Sequence, residues 1–300
     1  MLMQRLKIHA ALLLLMVLFG NVLAVESPEK TPINFPLIKH YAEFSNASYM
    51  FGTEHGEHAL PEGYALTYSK NIPVFNVVYF LATNDANKTQ IIVVRGTANE
   101  SNALVDAALQ LRPDEHTGIR LHNGFSQAAL AIYDDVKPQL NKDYVISTTG
   151  HSLGGAVALI LAMHLDTDQY KIGQVITFGQ PKVTNVMGSN KYQHLDVIRV
   201  VTPKDMVPLV PPLDVTDINN IDIYWHLGEE VILLPGIDYA VLEGVDSMLR
   251  ATGFTQEPLS EENLTDHQMA LYLRMIDKKI PTARLVKFEN SFNLFNLFPE

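Results

Sequence analysis

Gly150-His151-Ser152-Leu153-Gly154 sets a serine between two glycines at the spacing G-x-S-x-G. A serine hydroxyl is a weak nucleophile until it is lifted clear of the backbone and offered to a base. This spacing meets the first condition when the serine sits on a sharp strand-to-helix turn, because glycines leave room where side chains would collide. The surroundings fit such a turn. Tyr144 to Thr148 reads as a buried strand and Leu153 to Leu165 as a nearly all-apolar helix, with Gly155-Ala156 where that helix must approach the sheet. The chemistry in prospect is acyl transfer through a serine, a histidine base and an orienting acid.

On an elbow of this kind the acid and then the histidine follow the serine along the chain. Of the eleven histidines, His194, His226 and His267 lie far enough beyond Ser152. His194 precedes the strand Val197 to Val201 and leaves almost no room for an intervening acid at a strand end. Asp205, in Val201-Thr202-Pro203-Lys204-Asp205-Met206-Val207-Pro208, follows the carboxyl end of that strand, where ligands gather in open parallel sheets. Asp166, Asp168 and Asp196 fall at the opposite edge. Chain order leaves both His226 and His267. His226 lies in the alternating run Ile221 to Leu227, which a sheet would hold. His267 stands where the polar stretch Glu261 to Thr265 meets a helical pattern, and a base at such a junction can come within hydrogen-bond reach of the hydroxyl it activates.

These residues need a scaffold. Phe75 to Leu81, Gln90 to Arg95, Val175 to Phe178 and Val197 to Val201 read as strands, and Ile221 to Leu227 with Val231 to Leu234 as a later pair. Phe125 to Val136 has apolar residues at helical spacing. Short apolar strands alternating with helices predict an α/β domain, a mainly parallel central sheet with helices on both faces. No repeat or linker divides residues 25–300, which are expected to form one catalytic domain. Residues 1–24 are a different object. Arg5 and Lys7 precede an apolar run from Ile8 to Leu18, and Val22-Leu23-Ala24 supplies a small-residue exit, the order of a secretory signal peptide. Gly20 and Asn21 interrupt the run before the roughly 18 apolar residues that a membrane anchor needs. The chain is therefore expected outside the cell, or in the periplasm of a Gram-negative host.

Composition narrows the partners. The net charge is −11, and −13 without the leader's two basic residues, which argues against a nucleic-acid partner. The absence of cysteine excludes disulfides, thiol nucleophiles and a lipid-modified cysteine. His55 and His58, near Glu54 and Glu57 in a Gly-flanked polar stretch, read as a solvated loop. No metal, cofactor or stable protein partner is expected.

Several segments resemble one family. Val94-Arg95-Gly96-Thr97, Leu121-His122-Asn123-Gly124-Phe125, the Ser152 elbow, Thr177-Phe178-Gly179-Gln180-Pro181-Lys182, Lys204 to Pro212, Tyr224-Trp225-His226-Leu227-Gly228 and Asp266-His267-Gln268-Met269-Ala270-Leu271-Tyr272 are similar, in order, to the class 3 lipases. That group contains the filamentous-fungal triacylglycerol lipases and their bacterial relatives. The resemblance implies an α/β-hydrolase fold and a serine hydrolase of lipid esters, with Ser152, Asp205 and His267 as the triad. It further implies Thr97 and Leu153 as the oxyanion hole and Asp106 as support for the oxyanion hydroxyl. A phospholipase A1 or short-chain esterase would need the same triad, and a lipase-like binding protein that has lost catalysis is a remote alternative. His151, His122 and Arg95 are read as structural. The fungal enzymes carry a tryptophan in the lid after the oxyanion residue; this chain has Ala103 there. Its lid face would be Leu104, Val105, Ala108 and Leu109, small enough to predict weak interfacial activation.

Overall fold

The computed structural model describes residues 32–51, 60–96, 110–211, 223–252 and 265–288. The leader, Thr97, Asp106, the lid residues Leu104, Val105, Ala108 and Leu109, and His55 and His58 lie outside them.

The chain opens on helix α1 (Phe35–Met50), whose first turn is capped by Asn34: the Leu37 amide donates to its Oδ1 at 3.0 Å. Strands β1 (Ala65–Ile72), β2 (Val77–Asn84) and β3 (Thr89–Val94) form an antiparallel meander. The expected first strand begins later than Phe75, because Pro73–Phe75 forms a single helical turn. A short hairpin of β4 (Leu111–Asp114) and β5 (Ile119–His122) leads into α2 (Asn123–Val136). Next come β6 (Val145–His151), α3 (Leu153–Thr167) and β7 (Lys171–Phe178). β8 (Thr184–Asn185), α4 (Val186–Lys191) and β9 (Val197–Val201) follow. Beyond these lie β10 (Tyr224–Trp225), β11 (Glu229–Leu233), β12 (Asp238–Leu242), α5 (Gly244–Thr252), α6 (Met269–Asp277) and β13 (Arg284–Leu285).

The main sheet runs β1-β2-β3-β6-β7-β9-β11-β12-β13, and β3, β6, β7, β9 and β11 are mutually parallel. This is the α/β-hydrolase architecture, and the reason lies in the strands themselves. β2 and β3 alternate between two cores. Tyr79, Leu81, Ile92 and Val94 pack with α2 and α3 on one face. Phe80, Ala82, Ile91 and Val93 pack with α1 and α6 on the other. A strand apolar at every position can be satisfied only when both faces are covered. Helix α3 is buried from Gly154 through Leu165, as expected for a helix apolar all round. Truncating Leu161 to alanine there would cost about 2–5 kcal/mol.

Among the described residues, 223–227 and 231–234 do not pair with each other. β10 pairs with β8 in a separate four-stranded sheet, whereas β11 enters the main sheet between β9 and β12. The chain turns at Gly228, which has φ +79 and lies against the Val197 carbonyl. The two apolar runs read as a pair of strands in sequence; a glycine in close contact with a third strand sends them to different sheets.

Candidate active site

β6 ends at His151 and α3 starts at Leu153, so Ser152 alone makes the turn. It has φ +57 and ψ −132, a conformation sparsely populated by residues with side chains. The backbones cross closely here: a Cβ on Gly150 would lie 2.5 Å from the Gly154 carbonyl group. The Ser152 amide donates to Phe178 O at 2.8 Å, tying the turn to the end of β7. Its side chain is fully buried, and Oγ has no hydrogen-bond partner among the described residues. A buried unpaired hydroxyl is uncommon unless it has work to do. Leu153 is the first residue of α3, and amides of a first helical turn lack intrahelical acceptors and suit developing negative charge.

The structure brings Asp205 and His267 together. Asp205 follows β9, and His267 stands in the turn before α6. His267 Nδ1 donates to Asp205 Oδ2 at 2.7 Å, with both side chains wholly buried. That bond leaves the lone pair of the neutral ring on Nε2. Tyr272 Oη also donates to Asp205 Oδ2, and the Val207 amide donates to Oδ1 at 2.8 Å. Burial, and then the Asp205 charge, push the Tyr272 phenol far above its ordinary range, so it remains a donor. Thr202 Oγ1 donates to Asp266 O at 2.8 Å and braces the turn that carries the histidine. Gly179, with φ +58, ends β7 beneath the pair; a Cβ there would lie 2.6 Å from His267 Cε1 and 2.9 Å from Asp205 Oδ2.

His151 connects the serine's turn to the histidine. Its ring lies 4.4 Å, centroid to centroid, from that of His267, and its Nε2 meets the His267 carbonyl at 2.6 Å. Burial, then the neighbouring His267, hold the His151 pKa well below the ordinary histidine value. A neutral ring that donates from Nε2 must accept at Nδ1, so Tyr49 Oη is the donor of the 2.7 Å bond there. The resulting chain runs Tyr49, His151, His267, Asp205, with Tyr272 closing on the carboxylate.

The remaining candidates sit elsewhere. His226 is buried and donates from Nε2 to Pro208 O at 2.7 Å. Burial and nearby Arg199 push its pKa well down, so it is neutral. His122 caps α2, accepting weakly from the Phe125 amide at 3.4 Å with its ring stacked on Phe125. His194 pairs with Asp166 at 3.0 Å on the surface. Asp168 closes α3, and Asp196 precedes β9 and accepts from Gln174; both lie at the far end of the sheet from Ser152. Tyr49, Tyr272 and Gly179 were not singled out from sequence. Tyr272 had a faint signal, a phenol on the buried face of the helix just after His267, whereas Tyr49 had none.

Residues 91–215 match the family model described as Lipase (class 3). The chain is 32% identical over 143 residues to a secreted mono- and diacylglycerol lipase of Fusarium solani, covering 45% of this chain and 43% of that one. It is 27% identical over 169 residues to a lipase of Rhizomucor miehei, covering 51% and 46%. The matched stretches thus span less than half the length of these relatives. Among solved structures, Lip2 lipase of Yarrowia lipolytica superposes with a TM-score of 0.58 at 25% identity, covering 70% of this chain and 84% of the other.

Proposed function

We propose that this chain, which belongs to the class 3 lipases through residues 91–215, is a secreted hydrolase of lipid carboxylic esters with Ser152 as nucleophile. The observation that carries this reading is the buried 2.7 Å bond between His267 and Asp205, joined through His151 to the turn at Ser152. Ser152 Oγ attacks the ester carbonyl carbon as its proton passes to His267 Nε2. Asp205 holds the imidazole in the required tautomer and stabilises the imidazolium. The tetrahedral oxyanion is met by the Leu153 amide and by Thr97, with Asp106 steadying the Thr97 hydroxyl. Collapse breaks the carbon–oxygen bond, and His267 returns the proton to the departing alcohol. Water then attacks the acyl-enzyme by the same route and releases the carboxylic acid. The lid face Leu104, Val105, Ala108 and Leu109 is small, which supports activity on soluble short-chain esters below their solubility limit. Residues 1–24 serve as the export leader and are cleaved; the mass of the exported chain tests this.

Wild-type protein and Ser152→Ala should be assayed on p-nitrophenyl esters, a triglyceride, a phospholipid and casein. The expected result is ester hydrolysis by wild type only and no action on casein. Ser152→Ala retaining more than about a thousandth of wild-type turnover would refute the nucleophile. The same panel separates a triglyceride lipase from a phospholipase A1 or a short-chain esterase, which share the triad.

A further inference from the structure

The loop beyond Asp205 is held by two side chains that the reaction does not use. Met206 O and Val207 O are satisfied within the loop by the amides of Leu209 and Val210, at 3.0 and 3.2 Å. The next four carbonyls turn outward into the protein. Pro208 O accepts from His226 Nε2, and Val210 O accepts from the Lys182 amide at 2.9 Å. Leu209 O and Pro211 O both accept from Lys182 Nζ, the latter at 2.8 Å. Buried carbonyls must find donors. Here one lysine supplies three of four in a row, and it is completely buried.

We propose that Lys182 is a positioning residue for the catalytic acid: its amide and amine strap backbone 209–211 so that Asp205 is presented to His267 in register. The proposal rests on the reading of Ser152, His267 and Asp205 as a triad. Asp205 is placed by its own loop, through the Val207 amide on Oδ1, so tension on residues 208–211 is felt at the carboxylate. The charges around the strap fit an uncharged amine. Arg250 is buried in an ion pair with Glu230, Arg199 is buried donating to Leu227 O and Ser247 Oγ, and His226 is neutral. Burial, and then repulsion by Arg199, lower the Lys182 pKa to about 7. A neutral amine has two hydrogens, the number of carbonyls that Nζ meets.

The test compares Lys182→Met, which fills similar space without donors, with Lys182→Arg, which can donate to both carbonyls. In folded Lys182→Met, kcat should fall about a hundredfold with KM changed by less than about threefold, as for a misplaced catalytic group. The low-field proton resonance of His267 Nδ1–H, assigned by its loss in His267→Gln, should shift or broaden. Lys182→Arg, which restores both donors but brings a permanent charge, should recover part of kcat and move the resonance back towards its native position. A folded Lys182→Met with wild-type kcat and an unmoved resonance overturns the proposal. If Lys182→Met does not fold, Lys182→Leu, which also lacks donors, is read in the same way. If no variant folds with an altered resonance, the lysine serves folding alone and the proposal fails. Should wild type hydrolyse no ester, the functional reading fails instead, while the resonance still reports on the strap.

Discussion

Asp205 and Asp168 both accept a hydrogen bond from a tyrosine and both face a histidine, yet the two sites differ in kind. Asp205 receives Tyr272 Oη and His267 Nδ1 at zero exposure. Asp168 receives Tyr133 Oη and Lys137 Nζ, with His116 Nε2 3.1 Å from its other oxygen, on a side chain that is 29% exposed. The residue types are nearly interchangeable. What separates them is water and the neighbour. At Asp168 a lysine supplies the counter-charge and solvent screens the rest, so the cluster is a surface ion pair of small net worth. Among the described residues, the donors on Asp205 are the Tyr272 phenol, the Val207 amide and the His267 imidazole. Burial makes the coupling to the imidazole strong. Matching residue sets thus give a screened surface tether in one place and a buried carboxylate–imidazole pair in the other.

The contrast can be tested from the larger effect downward. Removing the base, His267→Ala, should cost about three to four orders of magnitude in kcat with KM little changed, checked by steady-state kinetics on a soluble ester. Asp205→Asn should approach the same loss, about ten-thousandfold, because an amide favours the wrong imidazole tautomer; a loss below about tenfold would remove the acid's assigned role. Tyr272→Phe strips one donor from a buried carboxylate. Chemical denaturation should show about 1–3 kcal/mol of lost stability, with a smaller fall in kcat than either triad variant. Asp168→Asn should leave kcat unchanged and cost at most about 1 kcal/mol. Its pH dependence has a definite sign. Bonds from Lys137 and then Tyr133 depress the Asp168 carboxyl from 3.8 to about 2. The stabilisation is therefore present above pH 3.8 and is lost as pH falls through about 2. Denaturant midpoints of wild type and Asp168→Asn should differ at pH 6 and converge near pH 2.

Some of this arrangement is readable one segment at a time. The elbow at 150–154, the apolar runs of β3, β6, β7 and β9, and the nearly all-apolar α3 are local patterns. Each follows from the room a turn requires or from which faces a strand must hide. The choice of Asp205 over Asp166, Asp168 and Asp196 also came from sequence, because strand direction decides which end of a parallel sheet a loop occupies. The pairing of β10 and β11 did not, since nothing local distinguishes a hairpin from two strands parted at Gly228. Tyr49 and Tyr272 were hidden for another reason. A tyrosine on the apolar face of a helix reads as core, and its hydroxyl gains meaning only when the distant partner is in place.

From the amino-acid order alone come the identities that chemistry requires: a serine able to sit on a tight turn, an acid past a strand's carboxyl end, a histidine at a loop-to-helix junction, and the apolar periodicity that commits the chain to a two-sided sheet. Such properties depend on bonded neighbours and repeat spacing, which a linear chain already contains. Tertiary structure alone decided the electrostatics. His151 reaches His267 across 116 residues and Tyr272 reaches Asp205 across 67; Lys182 meets Leu209 and Pro211 across 27 and 29. The strength and protonation of those contacts are set by the water that folding removes and by the groups that replace it, and neither exists until the sheet and its loops have closed around the site.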